Sequence, residues 1–105
     1  MKKSKCYTAK NGDTTWRMRG KLHREDGPAL EGTDGYKAWC MYGKLHRLNG
    51  PAVEFANGET SWYLNGVYCQ YHEYLPLVRE QISDEEYLVL ILTYGTDKYP
   101  DGFVK

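Results

Sequence analysis

The stretch GKLHREDGPALEGTDG, from Gly20 to Gly35, is written again 23 positions later as GKLHRLNGPAVEFANG, from Gly43 to Gly58. The same spacing relates Trp16, Trp39 and Trp62, then Gly12, Gly35 and Gly58, then Gly20, Gly43 and Gly66. A period of this kind is architectural: stacked copies of one small unit bury together an apolar face that a single copy would expose. Extended backwards, the register puts Cys6 in the slot of Ala29 and Ala52, so the array runs from about Ser4 to Cys69.

Each unit carries a turn dipeptide, Asn11-Gly12, Asp34-Gly35 or Asn57-Gly58. Such dipeptides supply the positive φ angles of a two-residue type I′ hairpin loop. That loop pairs Tyr7 with Trp16, Leu30 with Trp39 and Val53 with Trp62. Side chains alternate along a strand, so Met18, Met41 and Leu64 extend the same apolar stripe. The opposite face then carries Thr15, Arg17 and Arg19, next Ala38, Cys40 and Tyr42, and finally Ser61, Tyr63 and Asn65. It differs from unit to unit. The glycine four residues after each tryptophan reverses the chain, KLHR begins a short return strand, and EDGP or LNGP turns into the next hairpin. The expected fold is mainly β, an antiparallel meander of three 23-residue hairpin repeats closed by a C-terminal α-helical cap.

With 105 residues the chain reads as one domain, 1–105, divided into hairpin repeats over 4–69 and a helical cap and tail over 70–105. Fourteen basic and fourteen acidic side chains cancel, which removes the electrostatic footprint of non-specific nucleic-acid binding. Ten tyrosines and three tryptophans against two phenylalanines favour sheets with a wet face. Three cysteines (Cys6, Cys40, Cys69) without Cys-x-x-Cys spacing point to a reducing compartment. The longest apolar run, Leu88 to Leu92, is far short of a membrane span, and MKKSKCYTAKNG has a signal peptide's charge without its apolar stretch. The expectation is a cytoplasmic protein with no membrane partner.

The pattern W-x-x-x-G-K-L-H-R-x-[DN]-G-P-A resembles MORN-type repeats. It is more closely similar to the W-Y-x-N-G-x-x-H-R-x-D-G-P-A variant of bacteriophage, giant-virus and some bacterial proteins. The similarity covers residues 4–69; Trp62-Tyr63 with Asn65-Gly66 is regular, whereas the first two units have Trp16-Arg17 and Trp39-Cys40. The resemblance implies a single twisted β-sheet used for binding, without enzymatic activity, and, for a viral protein, residence in the host cytoplasm.

After Cys69 the pattern stops. QYHEYLPLVREQ reads as a short helix with Pro76 in its first turn. Ser83 with Glu86 forms a capping box, acidic residues follow, and Gly95 suits the exit, which predicts a helix over Asp84–Tyr94. Its Leu88–Leu92 run is apolar nearly all round and is expected to be buried on more than one side, against the tryptophan stripe or in a helix-to-helix homodimer. TDKYPDGFVK, the last ten residues, reads as a turn with a short edge strand or a loose end.

His23-Arg24 and His46-Arg47 could hold a metal or cradle a phosphate. A residue recurring in one slot of every unit is better explained by a job each unit shares, such as a hydrogen bond closing the Gly-Pro turn. Cys69 takes the third histidine slot with His72 nearby, but no spacing matches a zinc pattern. No cysteine lies in a nucleophile context, so neither catalysis nor a cofactor is expected. The tryptophans read as core before they read as base-stacking platforms. Arg17, Arg19, Tyr42 and Tyr63 are interface residue types on the irregular face and are the first binding candidates, with His23, Arg24, His46 and Arg47 second. The expected function is a small non-enzymatic module that docks on a protein. By analogy with phage proteins, it would modulate or inhibit a host defence factor. The alternative is a small-ligand or nucleotide sponge built on the His-Arg ladder.

Overall fold

The computed structural model describes residues 4–95. Ten strands, Lys5–Thr8 (β1), Thr14–Met18 (β2), Lys21–Leu22 (β3), Leu30–Glu31 (β4), Lys37–Ala38 (β5), Cys40–Met41 (β6), Lys44–Leu45 (β7), Val53–Glu54 (β8), Thr60–Leu64 (β9) and Val67–Cys69 (β10), precede two helices, Tyr71–Arg79 (α1) and Asp84–Tyr94 (α2). Eight strands form one antiparallel sheet in the order β1-β2-β4-β5-β8-β9-β10, with β3 also on β2, and β6 pairs β7 separately. The protein is mainly antiparallel β with two C-terminal helices. The tail expected at 96–105 lies outside the described residues.

The two kinds of turn are exchanged relative to expectation. At Asn11-Gly12 the loop has three residues, not two: Gly12 N donates to Ala9 O (2.9 Å) and Ala9 N to Asp13 O (2.8 Å). This is a type I turn closed by a glycine in the left-handed region, Gly12 at φ 97°. The cause is the residue before that glycine. Asn11 and Asn57 accept through Oδ1 from the amide two residues on, Asp13 N (3.0 Å) and Glu59 N (2.9 Å), and Asp34 does the same for Tyr36 N (3.1 Å). Such a side-chain turn needs no positive φ at the Asn or Asp. The type I′ turns sit instead at the second reversal, where both central residues have positive φ: Arg19 (55°) and Gly20 (80°), Tyr42 (52°) and Gly43 (84°), Asn65 (52°) and Gly66 (84°).

One extra loop residue shifts the pairing by one. Trp16 faces Cys6 rather than Tyr7, Leu30 faces Ala38 rather than Trp39, and Val53 faces Ser61 rather than Trp62. A slip of one residue exchanges the faces of a strand. Leu30 and Val53 therefore leave the tryptophan side. The face that differs from unit to unit holds Ala38 and Cys40, both buried. Ala29, Ala38 and Cys40 form a small core on which Trp16, Leu22, Leu30, Tyr36 and Leu45 pack.

The larger core lies where the sheet meets the helices: Trp62, Cys69, Tyr74, Leu75, Val78 and Leu90 are buried together. Both helices start with a capping box, Gln70 with Glu73 and Ser83 with Glu86. Pro76 is not in the first turn of α1 but inside the helix, where it removes one amide from the ladder. In α2 Leu90 is buried, whereas Leu88, Val89 and Leu92 are 56, 61 and 76 % exposed, so this helix is covered on one side only. The space over the last hairpin is filled by α1 together with Leu90 and Tyr94 of α2, which leaves the other sides of α2 uncovered within one chain.

Tyr74 ties the two parts together. Fully buried on α1, its hydroxyl accepts from Gly50 N (3.2 Å) and reaches the carbonyls of Arg47 and Gly50. Burial is the first cause that pushes its pKa well above the ordinary tyrosine value, so it stays a neutral donor. Tyr74→Phe keeps the ring but strands a buried amide, and should cost about 1–3 kcal/mol in urea unfolding with unchanged far-UV circular dichroism.

Candidate functional site

The His-Arg positions do a different job in each half of the dipeptide. Arg24 lies over the Trp16 ring (4.0 Å from guanidinium carbon to centroid) and Arg47 over Trp39 (3.8 Å). Arg24 pairs with Asp26 (2.9 Å) and Glu31 (3.6 Å) and donates to Pro28 O (3.1 Å). Arg47 pairs with Glu54 (3.4 Å) and donates to Asn49 Oδ1 (3.3 Å) and Pro51 O (3.0 Å). A Cβ on Gly27 or Gly50 would stand 2.8 or 2.6 Å from the guanidinium carbon. Those glycines are the seats of the arginines. It is thus arginine, stacked on tryptophan, that closes the Gly-Pro turn.

The histidines close a different turn, that of the following hairpin. His23 Nδ1 accepts from Tyr42 N (3.0 Å), and His46 Nδ1 accepts from Asn65 N (2.9 Å). An Nδ1 that accepts leaves the proton of the neutral ring on Nε2. In the first unit that Nε2 meets Glu25 at 3.6 Å, with His23 only 2 % exposed. In the second unit Leu48 stands where Glu25 would be, and His46 is half-buried. Burial holds the His46 pKa below its usual value.

Of the other candidates, Arg19 and Tyr42 occupy equivalent tips of successive type I′ turns, and Arg19 and Tyr42 are both exposed. Arg17 is exposed and braces the first turn by donating to Gly20 O (3.2 Å). Tyr63 is half-buried with its ring edge-on to Tyr68 (5.7 Å). No hydrogen bond or ring contact joins Arg17, Arg19, Tyr42 and Tyr63 to one another among the described residues, so they form a row of tips and flanks without a common pocket.

Cys40 and Cys69 are buried, and burial raises both thiol pKa values, which suits packing and not nucleophilic attack. No three metal-ligating side chains converge among the described residues. Among the described residues no helix is long and apolar enough to cross a membrane.

A recess of about 410 Å³ opens between the second Gly-Pro loop and the corner joining α1 to α2, lined by Arg24, Glu25, Met41, His46, Arg47, Leu48, Asn49, Gln81, Ile82 and Glu86. His46 and Arg47 were candidates from the sequence. Arg24 was a candidate as well; the rest of the wall was not, and the one visible signal for it was the break of period at Leu48 against Glu25.

No protein-family model, curated protein or solved structure matches this chain. Function therefore rests on the residues themselves.

The hydrogen bond at half-buried His46 fixes the sign of a pH effect. With a folded pKa below the unfolded value of 6.5, the neutral ring stabilises fully above that pH, and the contribution is lost as the unfolded chain takes up the proton below it. Melting temperature should fall as pH drops from about 7.5 to about 5.5. His46→Asn, which keeps an acceptor for Asn65 N but does not titrate, should flatten that slope in a thermal melt series.

Proposed function

We propose that this chain is a small non-enzymatic MORN-like repeat protein that acts by docking on another protein through the row of turn tips, Arg19 and Tyr42, flanked by Arg17 and Tyr63. The observation that carries the proposal is backbone conformation. Arg19 (φ 55°) and Tyr42 (φ 52°) hold the left-handed region, the position at which the third turn has Asn65 (φ 52°). That region costs an ordinary L-residue roughly 1 kcal/mol, and Asn and Gly are the residues that adopt it readily. By backbone preference alone asparagine would serve better at all three tips, although at the second the Tyr42 ring also lies against the buried His23 (4.3 Å between centroids). Arginine and tyrosine there, with Tyr42 58 % exposed, spend stability to present two interface side chains on a row with fixed spacing. In the phage setting that the repeat suggests, the partner is a host factor, a defence protein among them, and docking modulates or blocks it.

The proposal extends to self-association through α2. Leu88, Val89 and Leu92 lie at i, i+1 and i+4 on its open side, each more than half exposed. A homodimer would cover them by an isologous helix pair. Sedimentation equilibrium should then give twice the chain mass, with Leu92→Lys returning a monomer. A monomer for the wild type at high protein concentration would remove this extension and leave the tip row untouched.

For the tips, Arg19→Asn should leave stability unchanged or raise it by up to about 1 kcal/mol, whereas Tyr42→Asn offsets the same gain by removing the ring that lies against His23; the folded double variant should lose the stoichiometric partner that the tagged wild type retains from a bacterial lysate. A folded double variant that holds the same partner as the wild type would overturn the placement.

A further inference from the structure

We propose that the recess between the second Gly-Pro loop and the α1–α2 corner binds the head of an organic monocation, an ammonium or guanidinium group, carried beside a hydrogen-bond acceptor. The site is independent of the turn tips. Its charge decides the sign of the ligand. The two arginines in the wall, Arg24 and Arg47, are spanned by Asp26, Glu31 and Glu54, and the wall itself adds Glu25 and Glu86. The lining holds two guanidiniums against two carboxylates, and because Asp26, Glu31 and Glu54 already pair the arginines, it is Glu25 and Glu86 that face a ligand and favour a cation over phosphate.

Donors and acceptors agree with the charge. The Gln81 amide nitrogen is spent on Leu77 O (2.9 Å), which leaves its carbonyl oxygen as an acceptor. Glu86 accepts from Ser83 N through Oε1 (3.0 Å), with Oε2 left for a ligand. These groups suit the N–H hydrogens of an ammonium or guanidinium. Among the neutral donors of the wall, the Asn49 amide keeps its N–H hydrogens because its Oδ1 accepts from Arg47 (3.3 Å), and His46 Nε2 is fixed as N–H by the bond that Nδ1 accepts. They ask for an acceptor adjacent to the cation. Met41, Leu48 and Ile82 supply an apolar wall for the connecting carbons, and about 410 Å³ is the scale of a small-molecule site. The first unit cannot offer this chemistry, because there Glu25 occupies the Nε2 that Leu48 leaves open in the second.

The same head group could come from a free metabolite or from a basic side chain of a partner protein. Two probes separate them: N-butylguanidine, a guanidinium monocation without a carbonyl, and N-acetyl-arginine methylamide, a guanidinium monocation with peptide carbonyls. In amide NMR titrations at millimolar concentration, shifts should concentrate at Leu48, Asn49, Gln81 and Ile82 and weaken with added salt. Preference for the capped arginine is the result expected of a cation carried beside an acceptor and indicates a protein side chain; equal binding of both probes would overturn the acceptor half of the proposal. The preference should vanish in His46→Asn, which lacks the Nε2–H. Glu86→Gln preserves the capping box, since glutamine serves there as well, and together with Glu25→Gln it should weaken either probe about three- to tenfold. Absence of shifts with both probes, affinity unchanged in the folded double variant, or the same resonances moved by inorganic phosphate instead would each overturn the proposal.

Discussion

In each of the first two units a guanidinium lies on a tryptophan ring, 4.0 Å away at Arg24 and 3.8 Å at Arg47, while its edge holds the carbonyl of the proline that opens the next hairpin. This contact gives the short hairpins a stability that burial alone would not. Their shared core is made of Ala29, Ala38 and Cys40, side chains too small to bury much apolar area. A cation over an aromatic face adds about 0.5–2 kcal/mol, and the same arginine satisfies a turn carbonyl that would otherwise need water. Gly27 and Gly50 are fixed by it, because a Cβ would occupy the guanidinium's place.

The third tryptophan shows what the contact supplies by lacking it. Gln70 stands in the arginine slot of that unit, and Trp62 is instead ringed by Tyr71 (4.7 Å), Tyr74 (4.7 Å) and Tyr94 (5.0 Å) from the two helices. The helical cap is thus a substitute for the arginine, made of aromatic area. Tyr74 also takes over part of the loop-closing role, since its hydroxyl holds the Arg47–Gly50 loop from outside. The array ends at this unit because the chain following Cys69 is spent on covering Trp62.

How much of this was legible follows from which signals are local. Asp84–Tyr94 was readable to the residue, since Ser83, Glu86 and Gly95 act within one turn of the helix ends. The pairing register was not. Asn-Gly satisfies both a type I′ loop and a side-chain-closed three-residue loop, and only the hydrogen bond from Asp13 N to Asn11 Oδ1 distinguishes them. From that one choice came the wrong partners for three tryptophans and the exchange of faces at Leu30 and Ala38. The type I′ turns went unread because Arg19 and Tyr42 are poor residues for them, and Asn65 gave the pattern in only one unit. The exposure of Leu88 and Leu92 was equally hidden, as a run apolar on all sides carries no direction. The shared role of the histidines was inferred correctly in kind, as closure of a turn, and misplaced by one hairpin.

Periodicity itself separates the residues that fold this protein from those available for anything else. His23 and His46, Arg24 and Arg47, and Gly27 and Gly50 repeat and are consumed by bonds that repeat with them. The residues that break period are of two kinds: Glu25 and Tyr42 both lie against His23, whereas Arg19 holds a left-handed φ at an exposed tip and Leu48 leaves the second histidine without an acid. In a repeat architecture each slot is solved once, and a departure from the solution costs stability unless a neighbour compensates. At the tips no neighbour relieves the left-handed φ of Arg19, and at Leu48 the loss of an acid leaves a donor facing open space. Departures that cost the fold something and place chemistry at the surface are the positions where selection for binding has the simplest route to act.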